Sequence, residues 1–386
     1  MFKSSKTISL LVIILVLTLA THPVYAQFRT QLERRLERDI EDYILDDFSL
    51  IEAAFILSGA NQREDLERYL TWYDELLYTI RDYNLSAHDR INSASRVFAY
   101  LHSSWLITYK EEATTLIDVV DEKRFNCVAG TILYNLVCQD LGWPTEAFET
   151  PTHTYTIFPD FGHEITVENT SPIGFNIMRN LNEYSRYLLQ FYPEEKRYQI
   201  GLDRIYAYEN SKGRKIDNTE LLGLLAYNRA YFADKVKDYK KAYDFVLLAQ
   251  QFNRDSRSNV NFEIGLYYRW GQQLYERQLY QQAFTVFADA YYRYWENKDF
   301  ADNCKVAFKL AQQHNWEGRD WEKFQRLTDE MLDLGLLDEY DLEGLKGYMV
   351  NWVNLYQNTK PSEELKAMTS YWLEVFPDEV FLKQFE

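Results

Sequence analysis

Phe125-Asn126-Cys127-Val128-Ala129-Gly130-Thr131-Ile132-Leu133-Tyr134-Asn135-Leu136-Val137-Cys138-Gln139-Asp140-Leu141-Gly142-Trp143-Pro144 is the stretch on which the reading of this chain turns. Ala129, Ile132, Leu133, Leu136 and Val137 recur three and four apart, the spacing of an apolar helix face. Gly142 followed by Pro144 stops that helix, and Asn126 is the expected N-cap. Cys127 therefore falls in the first turn, where backbone N–H groups and the helix dipole stabilise negative charge on sulfur. Cys138 returns to nearly the same face 11 residues later. It lies about 16 Å further along the axis, so the two cannot form a disulfide within the helix.

Downstream, Thr152-His153-Thr154-Tyr155-Thr156-Ile157-Phe158 and His163-Glu164-Ile165-Thr166-Val167-Glu168-Asn169-Thr170 flank a Pro159-Asp160-Phe161-Gly162 cluster. Two β-prone runs around turn residues predict a hairpin. With the turn centred between Asp160 and Phe161, Phe158 faces His163 and His153 faces Glu168. Opposed side chains share a face about 5 Å apart, so Glu168 can hold the imidazole in the tautomer that takes a proton from a thiol. A register one residue different puts Asn169 there instead, and an Asn orienter is also chemically acceptable. His163 and Glu164 belong to the far end of the hairpin, away from His153, so no metal site is expected. Cys138 and Cys304 read as buried small hydrophobes, and His88, His102 and His314 as surface or structural residues.

The order Cys, His, acid resembles the transglutaminase-like superfamily of papain-type folds. The resemblance rests on Asn126-Cys127 with Thr131 and Tyr134, on Leu141-Gly142, on Pro151-Thr152-His153 and on Val167-Glu168-Asn169-Thr170, and covers roughly 120 to 180. It implies Cys127 as nucleophile, His153 as base and Glu168 as orienter. The third position is often Asp in that family and is Glu here. No single residue takes the oxyanion role by match; Asn126 and the backbone N–H of Cys127 are candidates. Members include cysteine peptidases, amidases and acyl transferases, so the resemblance implies thiol chemistry on an amide or isopeptide bond without fixing the substrate or the acceptor. It implies no organic cofactor.

On either side the pattern is helical. Leu32, Leu36, Ile40 and Ile44 recur at helical spacing, as do Leu70, Trp72, Leu76, Leu77 and Ile80; Arg34 to Asp42 reads as a solvated face. Towards the C-terminus, Ala230, Ala233, Tyr239, Ala242, Val246 and Ala249 hold the same relative positions as Gly271, Leu274, Tyr280, Ala283, Phe287 and Ala290. Both sets resemble tetratricopeptide helix–turn–helix units, with 41 residues from Ala242 to Ala283 against the usual 34. A third, weaker pair is expected around Ala301 to Leu334. Each such pair buries its apolar stripe only against a neighbour, so an irregular helical-repeat tail is expected, with a generic helical bundle as the alternative.

Lys3 and Lys6, the apolar run from Ile8 to Leu19, Pro23 and Val24-Tyr25-Ala26 form an expected cleavable leader. Its apolar run is shorter than the roughly 20 residues a membrane helix needs, and no later run spans a membrane. The 386 residues carry 59 Asp and Glu against 42 Lys and Arg, a formal charge of -17. Loss of the leader's two lysines would take the charge to -19. Such a field repels phosphate backbones and argues against a nucleic-acid partner. Three cysteines exclude a disulfide framework. The 31 Tyr, 23 Phe and 9 Trp against 14 Gly and 8 Pro read as helices packed through rings.

The expected organisation is α+β: a leader over 1–26, a helical segment over 27–115, a papain-like core over 116–182, a linker or subdomain over 183–215 and all-α repeats over 216–386. The expected function is an exported, periplasmic or secreted cysteine hydrolase or acyl transferase acting on a peptide or protein, with the repeats holding substrate or a protein partner. The competing reading is a non-catalytic exported scaffold that binds a partner through its repeats.

Overall fold

The helix predicted after Asn126 forms over Cys127–Asp140, and everything from Val128 to Cys138 on it is buried. Burial on all sides requires cover from several elements, and the rest of this half of the chain supplies it. The computed structural model describes residues 29–177 and 212–385, apart from 84, 87, 88, 161 and 162. The expected leader, His88 and most of the expected linker lie outside the described residues.

Four helices come first: α1 (Gln31–Asp39), α2 (Leu50–Ser58), α3 (Arg63–Arg81) and α4 (Arg90–Ser104). Thr30 with Glu33 and Ser49 with Glu52 close capping boxes at α1 and α2, satisfying otherwise orphaned N–H groups. Ala53 to Leu57 on α2 are wholly buried, as a helix apolar on every face must be. β1 (Thr108–Tyr109), α5 (Leu116–Glu122) and β2 (Arg124–Phe125) lead into α6 (Cys127–Asp140). β1 and β2 pair in parallel, Thr108 beside Arg124 and Tyr109 beside Phe125.

β3 (Glu146–Glu149), β4 (Thr154–Asp160), β5 (His163–Val167) and β6 (Arg214–Ile216) form an antiparallel sheet in the order β5-β4-β3-β6. The protein is thus α+β with a helical C-terminal region. β6 places the end of the expected linker inside the sheet, opposite Ala147 to Glu149.

α7 (Asn218–Lys235) and α8 (Tyr239–Phe252) follow. Their Leu221, Leu222, Leu225, Leu248 and Phe252 belong to the same apolar core as α6 and α2. The chain divides into two compact units, to Leu266 and from Tyr267. That division falls within α9 (Arg257–Glu276), not at the expected boundary of 215/216, because the first helix pair is packed on the core. Arg29, at the start of the described chain, is buried against this pair. Its Nη2 donates to the Asp244 carbonyl at 2.7 Å, and its Nε lies 3.0 Å from the Asp244 carboxylate.

The second unit continues with α10 (Tyr280–Arg293), α11 (Lys298–Glu317), α12 (Trp321–Asp333), α13 (Glu339–Thr359), α14 (Ser362–Val375) and α15 (Val380–Lys383). The second helices of successive pairs start at Tyr239, Tyr280, Trp321 and Ser362, a constant spacing of 41 residues. The turns repeat as well. Lys237, Gln278 and Arg319 each hold a left-handed φ of 55° to 60°. After each, an N–H reaches five residues back, from Asp238 to Ala233, Leu279 to Leu274 and Asp320 to Asn315, which is the helix-stop geometry of a Schellman turn. The expected tail was irregular; the helix pairs keep one period from Tyr239 to Ser362.

Candidate functional site

Asn126 fixes how α6 begins. Its Oδ1 accepts from the Val128 and Ala129 N–H groups at 3.0 and 3.1 Å, and its Nδ2 donates to the Glu111 carbonyl at 3.1 Å. The Asn126 side chain therefore holds the helix start and the 108–111 segment together. Cys127 is the first helical residue and is half-buried. Gly130, one turn on, lets α6 approach the sheet: a Cβ there would lie 3.3 Å from the Asn169 carbonyl and 3.2 Å from the Phe125 ring. Cys138 is wholly buried, and burial pushes its thiol up to about 12. Cys304 is buried in the second unit, with its thiol likewise pushed up to about 12.

His153 lies just before β4, in a turn that fixes its backbone. The Thr150 N–H and hydroxyl donate to the His153 carbonyl at 2.8 and 3.1 Å, and the His153 N–H donates to the Thr150 hydroxyl at 3.0 Å. The ring's Nε2 meets Glu168 Oε2 at 2.7 Å, and both side chains are almost fully enclosed. Glu168 Oε1 is held in turn by the Thr170 N–H at 3.1 Å and hydroxyl at 2.5 Å. Burial alone would push the imidazole down, but the Glu168 charge and the hydrogen bonds to Cys127 and Glu168 prevail, raising its pKa to about 10. Glu168 takes Nε2, which leaves Nδ1 as the ring nitrogen able to exchange a proton with the Cys127 sulfur.

The hairpin register differs from expectation. Thr156 pairs with Val167, Phe158 with Ile165 and Asp160 with His163, so each partner lies two residues further on than a turn centred between Asp160 and Phe161 would give. A shift of two leaves every side chain on its original face, and Glu168 stays beside His153 as a diagonal neighbour. The alternative with Asn169 as orienter needed an odd shift. Asn169 instead turns towards α6, where its Nδ2 donates to Thr156 Oγ1 at 2.8 Å, Thr131 Oγ1 at 3.2 Å and the Val167 carbonyl at 3.3 Å. Asn135 joins this buried set through Thr156 at 2.5 Å and Asn218 at 2.8 Å. Asn126 and Asn169 both hold elements together and are not directed at the imidazole.

Two residues near the site were not singled out in the sequence as neighbours of Cys127. His102, near the end of α4, is buried, 4.4 Å from the Phe98 ring and 5.9 Å from the Phe125 ring. Burial drives its pKa down to about 4, against the opposing pull of the Leu106 and Asn169 backbone and the Glu168 charge, so it is neutral at pH 7. The periodicity of Ala94, Phe98 and Leu101 marks its helix face as buried but does not say what it meets. Tyr109, on β1, faces Phe125 at 5.9 Å and is partly exposed; nothing in a two-residue strand gives away its partner.

The other histidines stand apart. His314 is exposed on α11, and His163 is exposed at the far end of the hairpin with Glu164, which pairs with Lys215. Among the described residues, no group of three His, Cys, Asp or Glu side chains could hold a metal ion. Nor is any described helix long and apolar enough to cross a membrane.

A thiol at a helix start, a buried imidazole beside it and a carboxylate on the ring's other nitrogen can carry out nucleophilic attack on a carbonyl. The chain matches no protein-family model, and no curated protein matches it in sequence at a significant level.

Proposed function

We propose that the protein is an exported, transglutaminase-like cysteine enzyme with a papain-like core, acting on an amide or isopeptide bond of a peptide or protein. The observation that carries this reading is the enclosed His153–Glu168 pair at 2.7 Å beside a cysteine at a helix start. The Cys127 sulfur acts as the thiolate beside the His153 imidazolium and adds to the carbonyl carbon as the π pair moves onto oxygen. On collapse the C–N bond breaks, and His153 gives its proton to the departing nitrogen. Water then attacks the thioester to give a peptidase or amidase, or an amine attacks to give a cross-linking transferase. Glu168 keeps the ring oriented and stabilises the imidazolium. The leader-like pattern over residues 3 to 26 supports export. The helix pairs, read as tetratricopeptide-like units, hold the substrate or a partner along their surface.

The test is alkylation of the native protein by iodoacetamide, with the label located by peptide mass spectrometry. Cys127 should label while Cys138 and Cys304 do not. His153→Ala should slow labelling of Cys127 at pH 7 by about tenfold or more. Equal rates with and without His153 would replace the enzyme with the non-catalytic scaffold.

A further inference from the structure

The 108–111 segment is stitched to the residues that lead into Cys127. The Thr108 N–H donates to the Lys123 carbonyl at 3.1 Å and the Lys110 N–H to the Phe125 carbonyl at 2.9 Å. Asn126 Nδ2 extends the seam to the Glu111 carbonyl. Tyr109 therefore has a fixed place in the sequence of contacts: its ring stands edge-on to Phe125, at 90°, two residues before the nucleophile. The side chain is 37% exposed, covered along its ring and open to the surface. Burial raises the phenol's pKa well above the usual range, and the charges of Cys127, Glu111, Glu168 and Glu112 raise it further. The phenol therefore keeps its proton at neutral pH, and the strand pairing sets its ring beside Phe125, two residues before Cys127.

The proposed chemistry needs such a donor. When sulfur adds to a carbonyl, a full negative charge builds on the oxygen, and donors already in place lower that barrier. The Asn126 side chain is spent on capping α6 and binding Glu111, and Asn169 is spent on Thr131 and Thr156. The side-chain oxyanion candidate read from the sequence, Asn126, is thus committed elsewhere, and so is the alternative orienter Asn169. We propose that Tyr109 is the oxyanion donor of the Cys127 site, its O–H hydrogen-bonding the substrate carbonyl oxygen together with the Cys127 backbone N–H. This rests on the reading of Cys127 as nucleophile. The C–S bond forms, the π pair moves to oxygen, and the Tyr109 proton stays on the phenol throughout.

The experiment compares two reactions at one sulfur. p-Nitrophenyl acetate acylates Cys127 through a tetrahedral oxyanion; iodoacetamide alkylates it by displacement of iodide at a saturated carbon, with no charge building on a carbonyl oxygen. Tyr109→Phe keeps the ring that packs on Phe125. It should slow acylation on the order of 10²-fold while leaving alkylation within about twofold. Equal acylation rates for wild type and Tyr109→Phe would overturn the assignment, as would a matching loss in both reactions, which would mean that Tyr109 acts on the sulfur or the local fold. If neither reagent's rate depends on His153, the nucleophile reading fails and the assignment falls with it.

Discussion

An imidazole enclosed as His153 is stays charged only if a carboxylate sits within a hydrogen bond's length, and Glu168 does so at 2.7 Å. Its pKa is raised from an ordinary 6.5 to about 10, so the folded state binds the proton more tightly than the unfolded chain does. That contribution to stability is full below about pH 6.5 and is lost as pH rises towards 10. Thermal unfolding of wild type and His153→Gln across this range should show a gap in Tm that is widest near pH 6 and narrows by pH 10. A gap independent of pH would contradict the charged pair. His153 and Glu168 were legible in sequence because strand alternation is unforgiving: even with the register misplaced by two, the face survives. Tyr109 and His102 were not legible, since each reaches the site from an element distant in sequence, and no periodicity records which ring it will meet.

Among elements, backbone crowding and turn geometry decide most. Gly174 is needed for a close approach: a Cβ there would fall 1.9 Å from the Glu168 carbonyl oxygen, which is backbone and cannot step aside. Gly174→Ala should therefore displace Glu168 and destabilise the protein by about 2 kcal/mol or more. Alkylation of Cys127 should slow along with the loss of Tm; a variant with unchanged Tm and labelling rate would refute the crowding. In the helix pairs the strain runs the other way. Gln278 adopts φ 58°, a conformation glycine holds without penalty. Gln278→Gly should raise stability by about 0.5 to 1 kcal/mol, read as an increase in Tm. The spacing of 41 was visible between the first two units because small residues mark it: Ala242 and Ala283, Ala249 and Ala290. It faded in the next because Phe324 and Met331 take those places, and in the last because Leu365 and Trp372 do. Larger residues keep the period while erasing the pattern.

At the scale of the molecule, the acidic excess sets a background that no single contact reveals. Like charges spread over the surface repel one another, and salt screens them within about 10 Å at 0.1 M. Raising NaCl from about 10 to 150 mM should therefore raise Tm, while a fall would mean that exposed ion pairs outweigh the repulsion. The sequence reading divided the chain at 216 because the first repeat-like helix pair begins there; the compact unit runs to Leu266, with Leu221, Leu225 and Phe252 in the same apolar core as the Cys127 helix. A helix pair that looks like a repeat in sequence can be core in fact, since periodicity describes a face and not its neighbour. Arg29 ties the same pair to the beginning of the described chain, gripping Asp244 across 215 residues of sequence. Mechanically that grip is a bypass. Tension applied at Arg29 and drawn from the far end would pass through the ion pair into α8, leaving the sheet and Cys127 unloaded until the clasp parts.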